Sequence, residues 1–159
     1  MTTRTFFIKT WSDEKPKFRK MIAALPPDRL DYRPHQRSNS AAGLAWQITE
    51  EFRVLAETID TGELRWVGGS IPGTLEALLA QWDHAAAQVD RAVMTLDDAK
   101  WTSEAKYFIH GKYFRSTTIE ATLWEFLFDL IHHRGQLSTY IRPMGGKVPG
   151  TYGPSGDES

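Results

Sequence analysis

Apolar side chains return at three- and four-residue intervals in four stretches of the chain, separated by polar and turn-forming residues. That spacing puts them on one face of a helix. The first predicted helix runs from about Phe6 to Leu25, with Phe7, Trp11, Phe18, Ile22 and Leu25 on its apolar side. Pro26-Pro27 closes it, because an imide cannot continue the hydrogen-bond ladder, and Pro16 inside the span predicts a kink or a late start. The second runs from about Ser40 to Ile59 on the stripe Leu44, Ile48, Phe52, Leu55 and Ile59. Asn39 or Ser40 can cap its start, and Gly62 follows its end. The third, about Thr74 to Leu96, carries Leu75, Leu78, Trp82, Val89, Val93 and Leu96. The fourth, about Thr118 to Arg142, carries Ile119, Leu123, Leu127, Leu130, Leu137 and Ile141. Thr117 and Glu120 have capping-box spacing at its start, and Pro143, Gly145 and Gly146 end it.

Between the third and fourth helices, residues 106–114 hold two aromatic stretches around His110-Gly111, which read equally as a small hairpin or an ordered aromatic loop. No stretch supplies a central sheet. The expected fold is all-α: a four-helix bundle in one domain over residues 1–159, with the Gly-, Pro- and Ser-rich tail 147–159 on the surface.

Composition narrows the function. Nineteen Lys and Arg against twenty Asp and Glu give a net charge of −1, without the basic excess that nucleic-acid binding needs. No cysteine is present, which excludes disulfides, thiolate metal sites and a cysteine nucleophile. No run is long enough for a membrane span, and the amino-terminal apolar stretch is too short for a signal peptide, so a cytoplasmic location is expected.

The fourth helix carries the chemistry. Apolar residues surround Asp129 on most of the helix circumference, so this turn is expected to be buried, and a carboxylate persists there only if paired, hydrogen-bonded or bound to a metal. His133 lies one turn on, on the same face. Gln47 and Glu51 form a matching pair on the second helix, so the four can face one another as bundle-core ligands do. Two carboxylates, an imidazole and an amide suit zinc, nickel, manganese or ferrous iron. The plain alternative is a hydrogen-bonded Asp–His pair and a solvated Gln–Glu edge. Arg134 reads by default as one half of a structural ion pair. His84 and His132 read as surface groups, His35 and His110 as loop residues, and Trp46, Trp82, Trp101 and Trp124 as core or interface aromatics.

His132-His133-Arg134-Gly135-Gln136-Leu137-Ser138-Thr139-Tyr140, continuing through Arg142-Pro143-Met144-Gly145-Gly146-Lys147-Val148-Pro149 to Tyr152-Gly153-Pro154, closely resembles the carboxy-terminal signature of the DinB-like family. Tyr32-Arg33-Pro34 and Leu44-Ala45-Trp46 extend the resemblance. It implies a four-helix bundle, often with two crossover connections in up-up-down-down order and often a homodimer. It also implies a divalent metal held by one His on the second helix and a His-x-x-x-His pair on the fourth. His133 matches the last of these, while Asp129 and Gln47 stand at or near the other two. The site is then either carboxylate-rich, recruiting Glu51, or weak or absent. Two functions follow. One is a metal-dependent transferase of the thiol-using type, or a hydrolase, acting on a small molecule. The other is a non-catalytic helical module that dimerises or binds a partner, with a degenerate metal site.

Overall fold

The threonine hydroxyl of Thr2 accepts the backbone N–H of Thr5 and opens α1 (Thr3–Ala23), which runs unbroken through Pro16. The computed structural model describes residues 1–158. Ser40 caps α2 (Ala41–Thr61) through the Gly43 N–H, as a short polar side chain at that position should. Gly62 ends it in the left-handed region at φ 72°, where a side chain would be strained. Thr74 caps α3 (Leu75–Val93), Asp97 caps the short α4 (Asp98–Thr102), and Thr118 caps α5 (Ile119–Ile141). The capping residue of α5 is thus Thr118, one position beyond the expected Thr117, because the strand that precedes it runs up to the helix.

The expected all-α bundle is corrected by a sheet. β1 (Glu63–Arg65), β2 (Glu104–Ile109) and β3 (Lys112–Thr118) form a three-stranded mixed sheet in that order, and α4 makes a fifth helix, so the chain is mostly helical without being purely so. The physical reason is the turn chemistry. His110 and Gly111 both take positive φ, 49° and 76°, the two-residue geometry that lets β2 and β3 pair antiparallel. Between the two readings of the aromatic stretch, the hairpin is the one formed. β1 then adds parallel to β2, with Leu64 opposite Tyr107. Leu64, Tyr107 and Val54 of α2 make a small apolar cluster that fastens the sheet to the helices.

α1 and α2 each pack against both α3 and α5. The predicted stripes meet in one core, where Phe52 of α2 touches Trp11 of α1 and Trp82 of α3 at ring-centroid distances of 4.8 and 5.4 Å. None of the described helices is long and apolar enough to cross a membrane.

A buried charged cluster ties α1, α5 and the tail together. Arg134 donates from Nη1 to Glu14 Oε2 at 2.6 Å and from Nη2 to the Tyr152 hydroxyl at 2.6 Å, and that hydroxyl donates to Glu14 Oε2 at 2.8 Å. Lys17 Nζ holds the other Glu14 oxygen at 2.6 Å. The default reading of Arg134 as a structural ion pair therefore holds. Burial pushes the Glu14 carboxyl up, but the hydrogen bonds from Lys17, Arg134 and Tyr152 outweigh it and keep the group below its ordinary 4.5. A depressed folded-state value means that the unfolded chain binds the proton more readily. The stabilisation is thus complete above pH 4.5 and lost as the pH falls through the folded value. The unfolding midpoint should drop in that acid range, and Glu14→Gln should flatten this part of the profile; a parallel curve for the variant would refute the assignment.

Candidate metal centre

α2 and α5 lie side by side, and each contributes a pair of residues one turn apart: Gln47 and Glu51 from α2, Asp129 and His133 from α5. The Arg134–Glu14 pair helps to set the rotation of α5 about its axis. His133, next in sequence and about 100° around the helix, is consequently turned towards α2 rather than α1.

Glu51, Asp129 and His133 come together, each offering a ligand atom within 4.8 Å of the other two. His133 Nδ1 is 3.0 Å from Glu51 Oε1, and His133 Nε2 is 3.9 Å from Asp129 Oδ1. The Gln47 amide nitrogen donates to Glu51 Oε1 at 3.2 Å and to His133 Nε2 at 3.1 Å, while its oxygen accepts from the Asn39 amide at 3.1 Å. Gln47 thus touches both neighbours through nitrogen and is itself held by Asn39.

The carboxylate that the fold buries is Glu51, not Asp129. The Glu51 side chain is 4% exposed and that of His133 12%, whereas Asp129 is 58% exposed and makes no hydrogen bond to any described residue. This corrects the expectation of a buried Asp129. The apolar turn around it is not enclosed: Phe128 is 64% exposed and stacks outside the core on Trp124. Apolar residues around a helix reveal composition, and burial requires a neighbour on every side.

Burial pushes the Glu51 carboxyl above its ordinary value, against the favourable pull of His133. The neighbouring Glu51 carboxylate in turn holds the His133 imidazole above its usual 6.5, against the opposing effect of burial. His133 Nδ1 stands 3.0 Å from Glu51 Oε1, within hydrogen-bonding reach but without a well-aligned bond. As a result Glu51 Oε2 and His133 Nδ1 are both buried and without a hydrogen-bond partner among the described residues. Unpartnered buried acceptors are rare and costly. A divalent cation fits this set: it would satisfy the orphaned Glu51 oxygen, take a ring nitrogen of His133 in place of its proton, and offset the two carboxylate charges. Ligand atoms around a tetrahedral ion stand about 3.4 Å apart, and the unconstrained Asp129 side chain has the freedom to close the difference.

A cavity of about 420 Å³ opens beside the cluster, walled by the 34–39 loop, the start of α2 and the end of α5, with Gln47 and His133 on its lining. The sequence reading did not single out Arg37 or Ser38 in that loop, and read Asn39 only as a candidate helix cap, because only folding carries the loop to the helix pair. His35, His84, His110 and His132 are exposed, and of these His132 lies beside the cluster, its ring 5.6 Å from that of His133. Trp82 and Trp101 are in the core, and Trp46 and Trp124 pack partly buried against it.

The DinB family profile matches the chain over residues 1–159. The uncharacterised protein YrdA of Bacillus subtilis strain 168 is 22% identical over 158 residues, spanning 98% of this chain and 92% of that protein. Two solved structures share the fold at 20% identity. A DinB-like protein of Bacillus cereus ATCC 10987 superposes with a TM-score of 0.75 over 92% of this chain and 95% of its own. The DinB-like protein YjoA of Bacillus subtilis superposes with a TM-score of 0.70, over 87% and 91% respectively.

Proposed function

The chain belongs to the DinB family, and we propose that it is a divalent-metal-binding member that uses Glu51, Asp129 and His133 as ligands, as a metal-dependent transferase or hydrolase of a small molecule. One observation carries the reading: Glu51 Oε2 and His133 Nδ1, on two packed helices, are buried and unpartnered among the described residues, and His133 is on the wall of an open cavity. A divalent ion in that position supplies Lewis acidity, polarising a substrate oxygen or sulfur. The chain's own groups supply the rest. Glu51 provides a fixed buried charge, Gln47 orients Glu51 and His133 through its amide, and the cavity beside His133 admits the substrate. Since the protein has no cysteine, a thiol in any transfer reaction must arrive as a cosubstrate.

Protein purified without a polyhistidine tag should contain about one equivalent of zinc, nickel, manganese or iron per chain. Less than about a tenth of an equivalent of every transition metal, after supplementation at neutral pH, would overturn the proposal.

A second reading, a non-catalytic module that pairs with a second copy of itself, draws on a different observation. Phe6, Trp124 and Phe128 form a ladder of surface aromatics with centroid spacings of 5.7 and 5.8 Å, and Phe6 and Phe128 are exposed. On that reading chelators leave the melting temperature unchanged; on the first they lower it, because loss of a ligand bound only by the native state removes its binding free energy.

A further inference from the structure

The cavity beside His133 has a chemistry of its own. Its polar lining includes Arg37, Asn39, Gln47, His133, Gln136 and Thr139, and no carboxylate is among the residues that wall it. Several of these groups are committed. Asn39 donates to Gln47, Gln136 bonds His132 at 2.8 Å, and the Thr139 hydroxyl donates to the Gln136 carbonyl, leaving its own oxygen as an acceptor. Arg37 is not committed: its guanidinium makes no hydrogen bond or ion pair with any described residue. The loop that bears it is pinned, because Arg33 Nη1 donates to the Ser38 carbonyl at 2.6 Å and Asn39 is tied to Gln47. A fixed loop therefore holds an unpaired five-donor fork at the rim of a polar cavity that has His133 on its wall.

From this arrangement we infer that the cavity binds the oxyanion group of a small substrate, a carboxylate or a phosphate, with Arg37 as the recognising residue. Arginine suits the task because its planar donors match either group in pairs. The cavity's size fits a small molecule, and no carboxylate stands on its wall to oppose an anion at the Arg37 end. The inference deepens the metal-site reading and rests on it in one respect. The anionic end sits at Arg37, so the rest of the bound molecule extends towards His133, where the proposed ion stands.

The test is calorimetric titration of the full chain with sulfate and with acetate, at constant ionic strength, in zinc-loaded and chelator-treated protein. Sulfate probes tetrahedral phosphate-like groups and acetate planar carboxylates. Saturable binding in the millimolar range is expected, with Arg37→Gln weakening it about tenfold and Arg37→Lys retaining part of it. Arg91→Gln, which removes an exposed charge from α3, should leave binding unchanged. Preferential binding of sulfate assigns the site to phosphate substrates, and of acetate to carboxylates. Zinc should tighten either, by offsetting Glu51 and Asp129. If binding is saturable and depends on Arg37 but zinc has no effect, the oxyanion site stands and the metal reading is the one that fails. No saturable binding of either anion up to about 50 mM, or equal weakening by the Arg37 and Arg91 substitutions, overturns the inference.

Discussion

Arg134→Ala should destabilise the protein by about 3–5 kcal/mol and lower its melting temperature by about 10 °C. The size follows from what the substitution leaves behind. Glu14 and Arg134 are both buried, and the guanidinium touches Glu14, the Tyr152 hydroxyl and, at 4.8 Å, the face of Phe18. Without it the Glu14 carboxylate stays buried with only Lys17 and Tyr152 for partners, and a cavity opens over Phe18. Glu14→Gln with Arg134→Met removes both charges and fills the volume, so the double variant should lose less than the sum of the two single changes. Urea denaturation of the four proteins measures this directly. A loss below about 1 kcal/mol for Arg134→Ala would show the pair to be energetically ordinary. The same variants report on the tail. Tyr152 is held to the helices through this cluster, so proteolysis near residues 150–156 should accelerate in Arg134→Ala.

The long helices were legible because their apolar stripes repeat over five turns or more. α5 spans Ile119–Ile141 against an expected Thr118–Arg142, and α2 spans Ala41–Thr61 against Ser40–Ile59. β1 was not legible: Glu63-Leu64-Arg65 is too short to show a period, and it becomes a strand only because Gly62 delivers it alongside β2, where the Gly62 carbonyl accepts the Lys106 N–H at 2.8 Å. α4 was missed for the same reason, five residues being little more than one turn. In the site, four-residue spacing correctly placed Gln47 and Glu51 on one helical face, and Asp129 and His133 on another. Spacing could not rank their burial, since that depends on what covers each face, and it assigned to Asp129 the desolvation that falls on Glu51. Nor could it show that Glu14, 120 positions away, is the partner of Arg134.

Glu51→Gln should have opposite effects on the protein with and without metal. In the metal-free state Glu51 is a carboxylate forced up in pKa by burial, with one oxygen unpartnered. Replacing it with a neutral amide of the same shape relieves that cost, so the metal-free variant should melt no lower than the metal-free parent, and by a few degrees higher if the amide finds a donor or acceptor. In the metal-bearing state the same change removes a charged ligand. Metal content should then fall from about one equivalent to below about a tenth, and with it the stabilisation that binding confers, about 4 kcal/mol when the free ion is 1,000-fold above its dissociation constant. His133→Ala should lose the metal equally. Asp129→Asn should lose less, because this side chain is mostly solvated and water can take its place. The pH dependence has a definite sign. Ligands must be unprotonated to hold a cation, and both His133 and Glu51 hold their protons to higher pH than usual. Metal affinity should therefore begin to fall as the pH drops while still above the ordinary histidine value of 6.5. Elemental analysis and thermal melts of the three variants, with and without chelator, measure all of this together. A Glu51→Gln protein that melts lower than its parent by the same amount in both states would assign Glu51 to a purely structural role and remove the metal centre.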